Sequence, residues 1–239
     1  MKHLKVIGLA ALACLALTAA VGANVASASE PTASGTVPQG FTGTGGTGTL
    51  SVTASSLIIH CTSSTSSGEL SSSTTIQNAI VTFHGCTNSL SGGECHSEGQ
   101  PSGTIKTNAL HGTLVYLEAG SSTTGVLLKP ASGETFATID CPSIFGNTHM
   151  SVTGQVVAHL TPVNTEATTF TLTFSQASAG HPIPAAYLNP SGCASVSTTE
   201  ALKTDSSGLV NFSKSPSAIV GTHTIHFSKA VKINSTKCL

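Results

Sequence analysis

From Thr169 to Phe174 the chain reads TFTLTF, with Phe170, Leu172 and Phe174 on one side and Thr169, Thr171 and Thr173 on the other. Alternation with period two is the mark of a strand with one wet face. Met150 to Leu160 repeats it at greater length: Met150, Val152, Val156, Ala158 and Leu160 face one way, and Ser151, Thr153, Gln155 and His159 the other. His223, Ile225, Phe227, Val231 and Ile233 form a third row, interrupted at Lys229, which predicts a bulge or a strand end. Shorter runs occur at Thr49 to Thr53, Leu57 to Cys61, Ala79 to His84, Thr113 to Glu118, Gly125 to Lys129 and Phe136 to Cys141. Clusters of turn residues such as SSTSSG, SGGECHSEGQPSG and GHPIP separate them. No segment carries an apolar stripe at helical spacing, so about ten to thirteen short strands predict an all-β fold. The expected architecture is an antiparallel β-sandwich, with a closed or partly closed β-barrel as the alternative.

The first 28 residues depart from this pattern. Lys2 and Lys5 precede an apolar run from Val6 to about Ala23, and the triplet Ala26-Ser27-Ala28 follows. That is the layout of a secretory signal peptide with cleavage near Ala28. Cys14 lies in mid-run with Leu15, Ala16 and Leu17 still to come, unlike a lipoprotein cysteine, which ends the run. No later stretch reaches the ~20 apolar residues of a membrane helix. The expectation is an exported chain, secreted or held at the cell envelope, with no transmembrane segment after signal removal. No C-terminal sorting signal or hydrophobic tail is read. Residues 29–40 are expected to be a flexible N-terminal segment, and 41–239 a single β-rich domain, with a subdivision near 177–190 as the alternative.

Losing the leader removes two of nine lysines and no acid, leaving 7 basic against 10 acidic residues, a net charge of −3. There is no arginine, and only 8% of residues are charged. Nucleic-acid binding needs clustered basic residues, so that class is set aside. Export also frames the cysteines. Six remain, Cys61, Cys86, Cys95, Cys141, Cys193 and Cys238, and an even number in an oxidising compartment predicts three disulfides. The expected pairs are Cys86 with Cys95, Cys61 with Cys141, and Cys193 with Cys238. Zinc is disfavoured although His60, His84 and His96 neighbour three of them, because no closely spaced cysteine pair exists.

Candidate chemistry is sparse. Gly43, Gly45 and Gly48 match a dinucleotide-binding spacing, but a strand follows instead of a helix, and the next acid is Glu69. The glycines read as a flexible lead into the first strand, and no cofactor is expected. His223 and His226 stand three apart, so on a strand they face opposite sides and cannot share a metal; His223 belongs to the inward row. Glu94, His96 and Glu98 lie in one loop between cysteines, where a hydrolytic or metal cluster competes with polar cover over a disulfide. Glu118 and Asp140 end two strands and could pair as glycosidase carboxylates. There is no G-x-S-x-G elbow, which disfavours an α/β-hydrolase. Carbohydrate stacking is weakened by the absence of Trp and the presence of only two Tyr. The threonine row at 169, 171 and 173 has the spacing of an ice-binding face, but one strand is too narrow for that.

The placement of Cys61, Cys86, Cys95 and Cys141, together with Phe83-His84-Gly85, Ile105-Lys106-Thr107 and Leu110-His111-Gly112-Thr113-Leu114-Val115-Tyr116, resembles exported proteins of no assigned activity from high-GC Gram-positive soil bacteria. The resemblance spans Phe41 to Leu160. It implies an exported β-rich protein and transfers no catalytic residue.

The expected function is a non-catalytic, disulfide-stapled β-domain with a structural or binding role outside the cell, in contact with a cell surface or a glycan. One alternative is a secreted hydrolase or glycan-active enzyme using carboxylates at one rim of the sheet. The other is a small-ligand carrier with an apolar cavity inside a barrel.

Overall fold

The computed structural model describes residues 30–118, 120–143, 146–175, 177–178, 181–182 and 202–236. Among them there is no helix, and every regular element is a strand. The strands are β1 (Thr32–Gly35), β2 (Gln39–Val52), β3 (Ile58–Cys61), β4 (Ser63–Leu70), β5 (Thr75–His84), β6 (Thr87–Asn88), β7 (Ile105–Lys106), β8 (Leu110–Tyr116) and β9 (Thr124–Pro130). They continue with β10 (Thr135–Ser143), β11 (Gly146–Thr153), β12 (Val156–Thr161), β13 (Glu166–Ser175), β14 (Ala177–Ser178), β15 (His181–Pro182), β16 (Leu202–Gly208) and β17 (Phe212–Asn234).

Of the two architectures expected, the chain adopts the barrel. Antiparallel pairing runs β2–β4–β5–β8–β9–β12–β13–β17, and β17 pairs back onto β2, closing eight strands on themselves. An eight-stranded barrel leaves an interior just wide enough for side chains to fill. Phe41, Phe170 and Phe227 fill it here, with edge-on ring contacts at 5.6 Å (Phe41 to Phe227) and 5.9 Å (Phe170 to Phe227). Leu110, Leu114, Val126, Val156, Ala158 and Val231 complete the inward rows, each almost fully buried. Burying one such aliphatic or aromatic side chain contributes roughly 1.5–3 kcal/mol.

The strands outside the barrel form a second closed circuit. β2 and β17 are long enough to leave the barrel together: Ser217 to Val220 pair with Thr49 to Val52. From this shared stem, β17 pairs with β16, β16 with β11 and β11 with β10. On the other flank β2 pairs with β3 and β3 with β6. The gap is crossed by two single bridges, Thr87 to Glu94 and His96 to Asp140.

Both described disulfides sit at that crossing. They join Cys61 to Cys86 and Cys95 to Cys141, which corrects the expected pairs Cys86–Cys95 and Cys61–Cys141. Cys86 and Cys95 do lie opposite each other, Cys95 N–H donating to Cys86 O at 2.9 Å. Each sulfur is taken by the strand on its outer flank, β3 or β10, so the local hairpin is tied to both neighbours instead of to itself. Cys193 and Cys238 lie outside the described residues, as does most of the suggested break at 177–190.

Three further expectations change. The stretch expected to be flexible, 29–40, carries β1, paired with Val231 to Asn234 of β17, and the start of β2. The glycine run lies within β2 and is not a loose lead. Met150 to Leu160 is two strands, split at Gly154 (φ 94°), so Met150 and Val152 line the second circuit and Val156 to Leu160 line the barrel. The predicted break at Lys229 is a bulge: Ala167 pairs with Val231 while Thr169 pairs with His226.

The glycines have a packing reason. A Cβ on Gly43 would stand 2.6 Å from His223 Nε2 and 2.6 Å from Ser66 Oγ, and one on Gly45 would meet the Ser64 hydroxyl and, at 2.7 Å, His223 Nδ1. Replacing Gly45 by Ala should therefore destabilise the barrel by about 1–3 kcal/mol through overpacking. Urea denaturation of the variant measures it, and an unchanged midpoint would contradict the close approach.

Candidate functional site

Two places concentrate polar chemistry, and the barrel interior holds one of them. His223 belongs to the inward row of β17 and is 7% exposed. Its Nδ1 lies 3.0 Å from Ser64 Oγ and its Nε2 2.6 Å from Ser66 Oγ, both on β4, across the glycines of β2. One hydroxyl donates to the bare nitrogen and the other accepts from the N–H, so the neutral ring is satisfied. His226 faces outward and meets Thr169 Oγ1 at 3.0 Å, so the two histidines are separated by the barrel wall as expected.

The second place is an open groove of about 600 Å³ over the outer face of the second circuit. β10, β11 and β16 form its floor, and Glu98 and the start of β17 its rim. Asp140, His149 and Ser207 stand directly opposite one another on the three adjacent strands. Asp140 Oδ1 and His149 Nδ1 are joined by a hydrogen bond. The imidazole is open to solvent, with 57% of its side chain exposed against 31% for Asp140. Asp205 accepts from Ser213 Oγ at 3.0 Å and from the Lys214 N–H at 2.9 Å, so its carboxylate braces the bulge at the start of β17. Phe212 supplies an apolar wall.

The sequence candidates divide accordingly. Asp140 and Glu98 both line the groove. His96 is the bridge partner of Asp140 on its other side, and its Nδ1 is buried with no hydrogen-bond partner among the described residues. Glu94 is exposed at the Thr87 bridge and does not line the groove. Glu118 lies beyond the end of β8 and accepts from Thr123 Oγ1 at 3.4 Å. Asp140 and Glu118 therefore do not share a cleft, and their pairing as glycosidase carboxylates is not formed. Sequence reading missed His149, Ser207 and Asp205. No local pattern marks them; they come together only through the register of β10, β11 and β16.

The carrier reading meets a filled barrel. An apolar space of about 50 Å³ lies inside the second circuit, between Leu50, Ile59, Phe83, Ile139, Val152 and Leu202. Cavities that take up benzene are about 150 Å³. The outer wall of the barrel is hydroxylated: Thr82, Thr65, Thr44, Thr224, Thr171 and Thr161 stand opposite one another across six strands. This row wraps a curved wall and is not the plane that a flat lattice would need. A barrel that is apolar inside and hydroxylated outside also reverses the arrangement of a membrane barrel. Among the described residues no helix is long and apolar enough to cross a membrane, and no group of three or more His, Cys, Asp or Glu is placed to hold a metal.

No protein-family model, curated protein or solved structure matches the chain.

Burial lowers the pKa of His223 from its usual 6.5. The unfolded chain then takes up a proton that the barrel refuses, so stability is full above 6.5 and falls as pH drops from 6.5 toward the lowered folded value. Urea midpoints on either side of that value should show the loss. His223→Gln, which hydrogen-bonds without titrating, should flatten this part of the profile; an identical slope would assign the acid sensitivity elsewhere.

Proposed function

We propose that the protein acts outside the cell, at the envelope or in the medium, as a β-barrel domain that binds a polar ligand in the groove over β10, β11 and β16. The observation that carries this is the groove's size, about 600 Å³, against the filled barrel and the 50 Å³ interior space. Small-molecule sites fall at roughly 300–1,000 Å³. Glu98 and Asp140 offer acceptors, serine hydroxyls offer both donors and acceptors, and none of the lining residues is a lysine. That lining suits a neutral or cationic polyhydroxylated compound, such as an amino-sugar oligomer, with Phe212 supporting one sugar face. The two disulfides, and the leader with its Ala-Ser-Ala end, support the extracellular setting.

Calorimetric titration with neutral and amino-sugar oligosaccharides tests it. Phe212→Ala and Glu98→Gln should each weaken binding about tenfold, in the range of one lost contact of ~1.4 kcal/mol, while Glu118→Gln should leave it unchanged. Absence of binding, or binding indifferent to both groove substitutions, would remove the reading. A second reading, a hydrolase working in the same groove, is favoured by the Asp140–His149 pair beside Ser207.

A further inference from the structure

We infer that Ser207, His149 and Asp140 form a nucleophile, base and orienting carboxylate for acyl transfer, with an O-acyl ester of a neutral or cationic alcohol as the substrate class; this rests on the groove being the ligand site. Asp140 pairs with His149 and His149 with Ser207, so the three residues occupy one straight row across β10, β11 and β16. Directly opposite residues on antiparallel strands share a face, with Cβ atoms about 4.5–5.5 Å apart. The groove confirms the shared face, since all three line it.

The polarity of the row is the one that acyl transfer needs. The Asp140 carboxylate accepts the Nδ1–H of His149. That contact fixes the tautomer, leaving Nε2 with its lone pair, and the serine stands on the side away from Asp140. Ser207 is exposed, and its hydroxyl makes no hydrogen bond among the described residues. By contrast Ser206 donates to Val210 O at 2.7 Å, and Ser213 donates to Asp205. Among these three groove serines, Ser207 alone has both an uncommitted hydroxyl and a histidine opposite it. Ser151, on the same face of β11, likewise makes no side-chain hydrogen bond among the described residues, and its hydroxyl can donate to a developing oxyanion. The other charged groups facing the row are Asp205 and Glu98, with His96 behind Asp140. Their negative charge opposes anionic esters and favours neutral or cationic ones.

The step balances without a further reagent. Ser207 Oγ bonds to the ester carbonyl carbon as His149 Nε2 takes the hydroxyl proton. The C–O bond to the alcohol breaks, and His149 returns the proton to the leaving oxygen. Water then attacks the acyl-serine, His149 again carries the proton, and carboxylic acid and free Ser207 result. Nothing is oxidised or reduced. Ser207 and His149 are the catalytic residues; Asp140 is a positioning residue.

The test uses the whole exported protein with a fluorophosphonate probe and p-nitrophenyl acetate. The probe should lose fluoride and add one phosphonyl group to Ser207, located by peptide mass mapping. Ester hydrolysis should fall at least about 100-fold in Ser207→Ala and in His149→Gln, the lower end of what a positioned base contributes. Asp140→Asn should lower kcat with KM unchanged, and Asp140→Glu should recover part of it, a split that a merely structural pair would not give. Labelling elsewhere, no labelling, or hydrolysis that survives Ser207→Ala would overturn the proposal. Oligosaccharide titration of Ser207→Ala separates the two readings. Binding retained without labelling of the wild-type protein sinks the acyl transfer alone, whereas labelling of Ser207 with no saccharide binding sinks the saccharide assignment and keeps the chemistry.

Discussion

The pairing of β2 with β17 is the constraint on which both closed circuits depend. Ten residue pairs between Ser217 and Phe227 on one strand and Phe41 and Val52 on the other span barrel and second circuit without interruption except one bulge near Gly221. If this seam opens, the barrel loses its closing strand pair and the second circuit loses its stem. Closure also removes free edges, which in a sheet invite pairing with other chains. The outer edge of β10 illustrates the management of what remains. His96 bridges it at Asp140, Ser97 Oγ donates to Thr138 O at 2.7 Å, and Asn108 donates to Phe136 O and Thr135 O.

A seam rich in glycine has weak register on its own, because little side-chain bulk distinguishes one alignment from the next. His223 supplies the missing information. Its ring reaches over Gly43 and Gly45 to Ser64 and Ser66, so one buried polar cluster ties β17, β2 and β4 in a single alignment. A one-residue slip of β17 would turn His223 out to solvent and leave Ser64 buried without its partner, at about 1–3 kcal/mol for the lost bond. The imidazole gives the seam register at the expense of acid tolerance, since the same burial that fixes it opposes its protonation.

Much of this architecture was legible in alternation. Phe170, Leu172, Ile225 and Phe227 point inward and Thr169, Thr171 and His226 outward, as period two requires. What alternation could not convey is which strands meet. Met150 to Leu160 keeps its inward parity across Gly154, so nothing in the apolar pattern marks the passage from one circuit to the other. The glycines of β2 read as loose chain because the ring that fills the space above them lies some 180 residues later in sequence, at His223. The cysteines failed for a similar reason: nearness in sequence favours Cys86 with Cys95, and those two are opposite, but the sulfurs turn to the outer strands. For the groove, Asp140 and Glu98 were singled out as isolated acids. His149 and Ser207 escaped because exposed His and Ser on strands have no distinguishing local pattern; only the register of β10, β11 and β16 gives them meaning.

The disulfides and the groove then follow from one another. The second circuit is held by full ladders except between β3 and β6, where only two residue pairs form, and between β6 and β10, where each contact is a single bridge. Hydrogen bonding that thin cannot keep a sheet closed, and the two cross-links fall where it thins. Loops of 25 and 46 residues are closed by them, which on the chain-entropy model amounts to about 3–4 kcal/mol each. Cys141 is the residue after Asp140, and Cys95 the residue before His96, so the bond between them anchors the strand that carries the orienting carboxylate. Asp140 is thereby fixed from beneath by a covalent tie and from the side by the His96 bridge. A short row of this kind needs its first member held still for the imidazole to present one nitrogen to the groove.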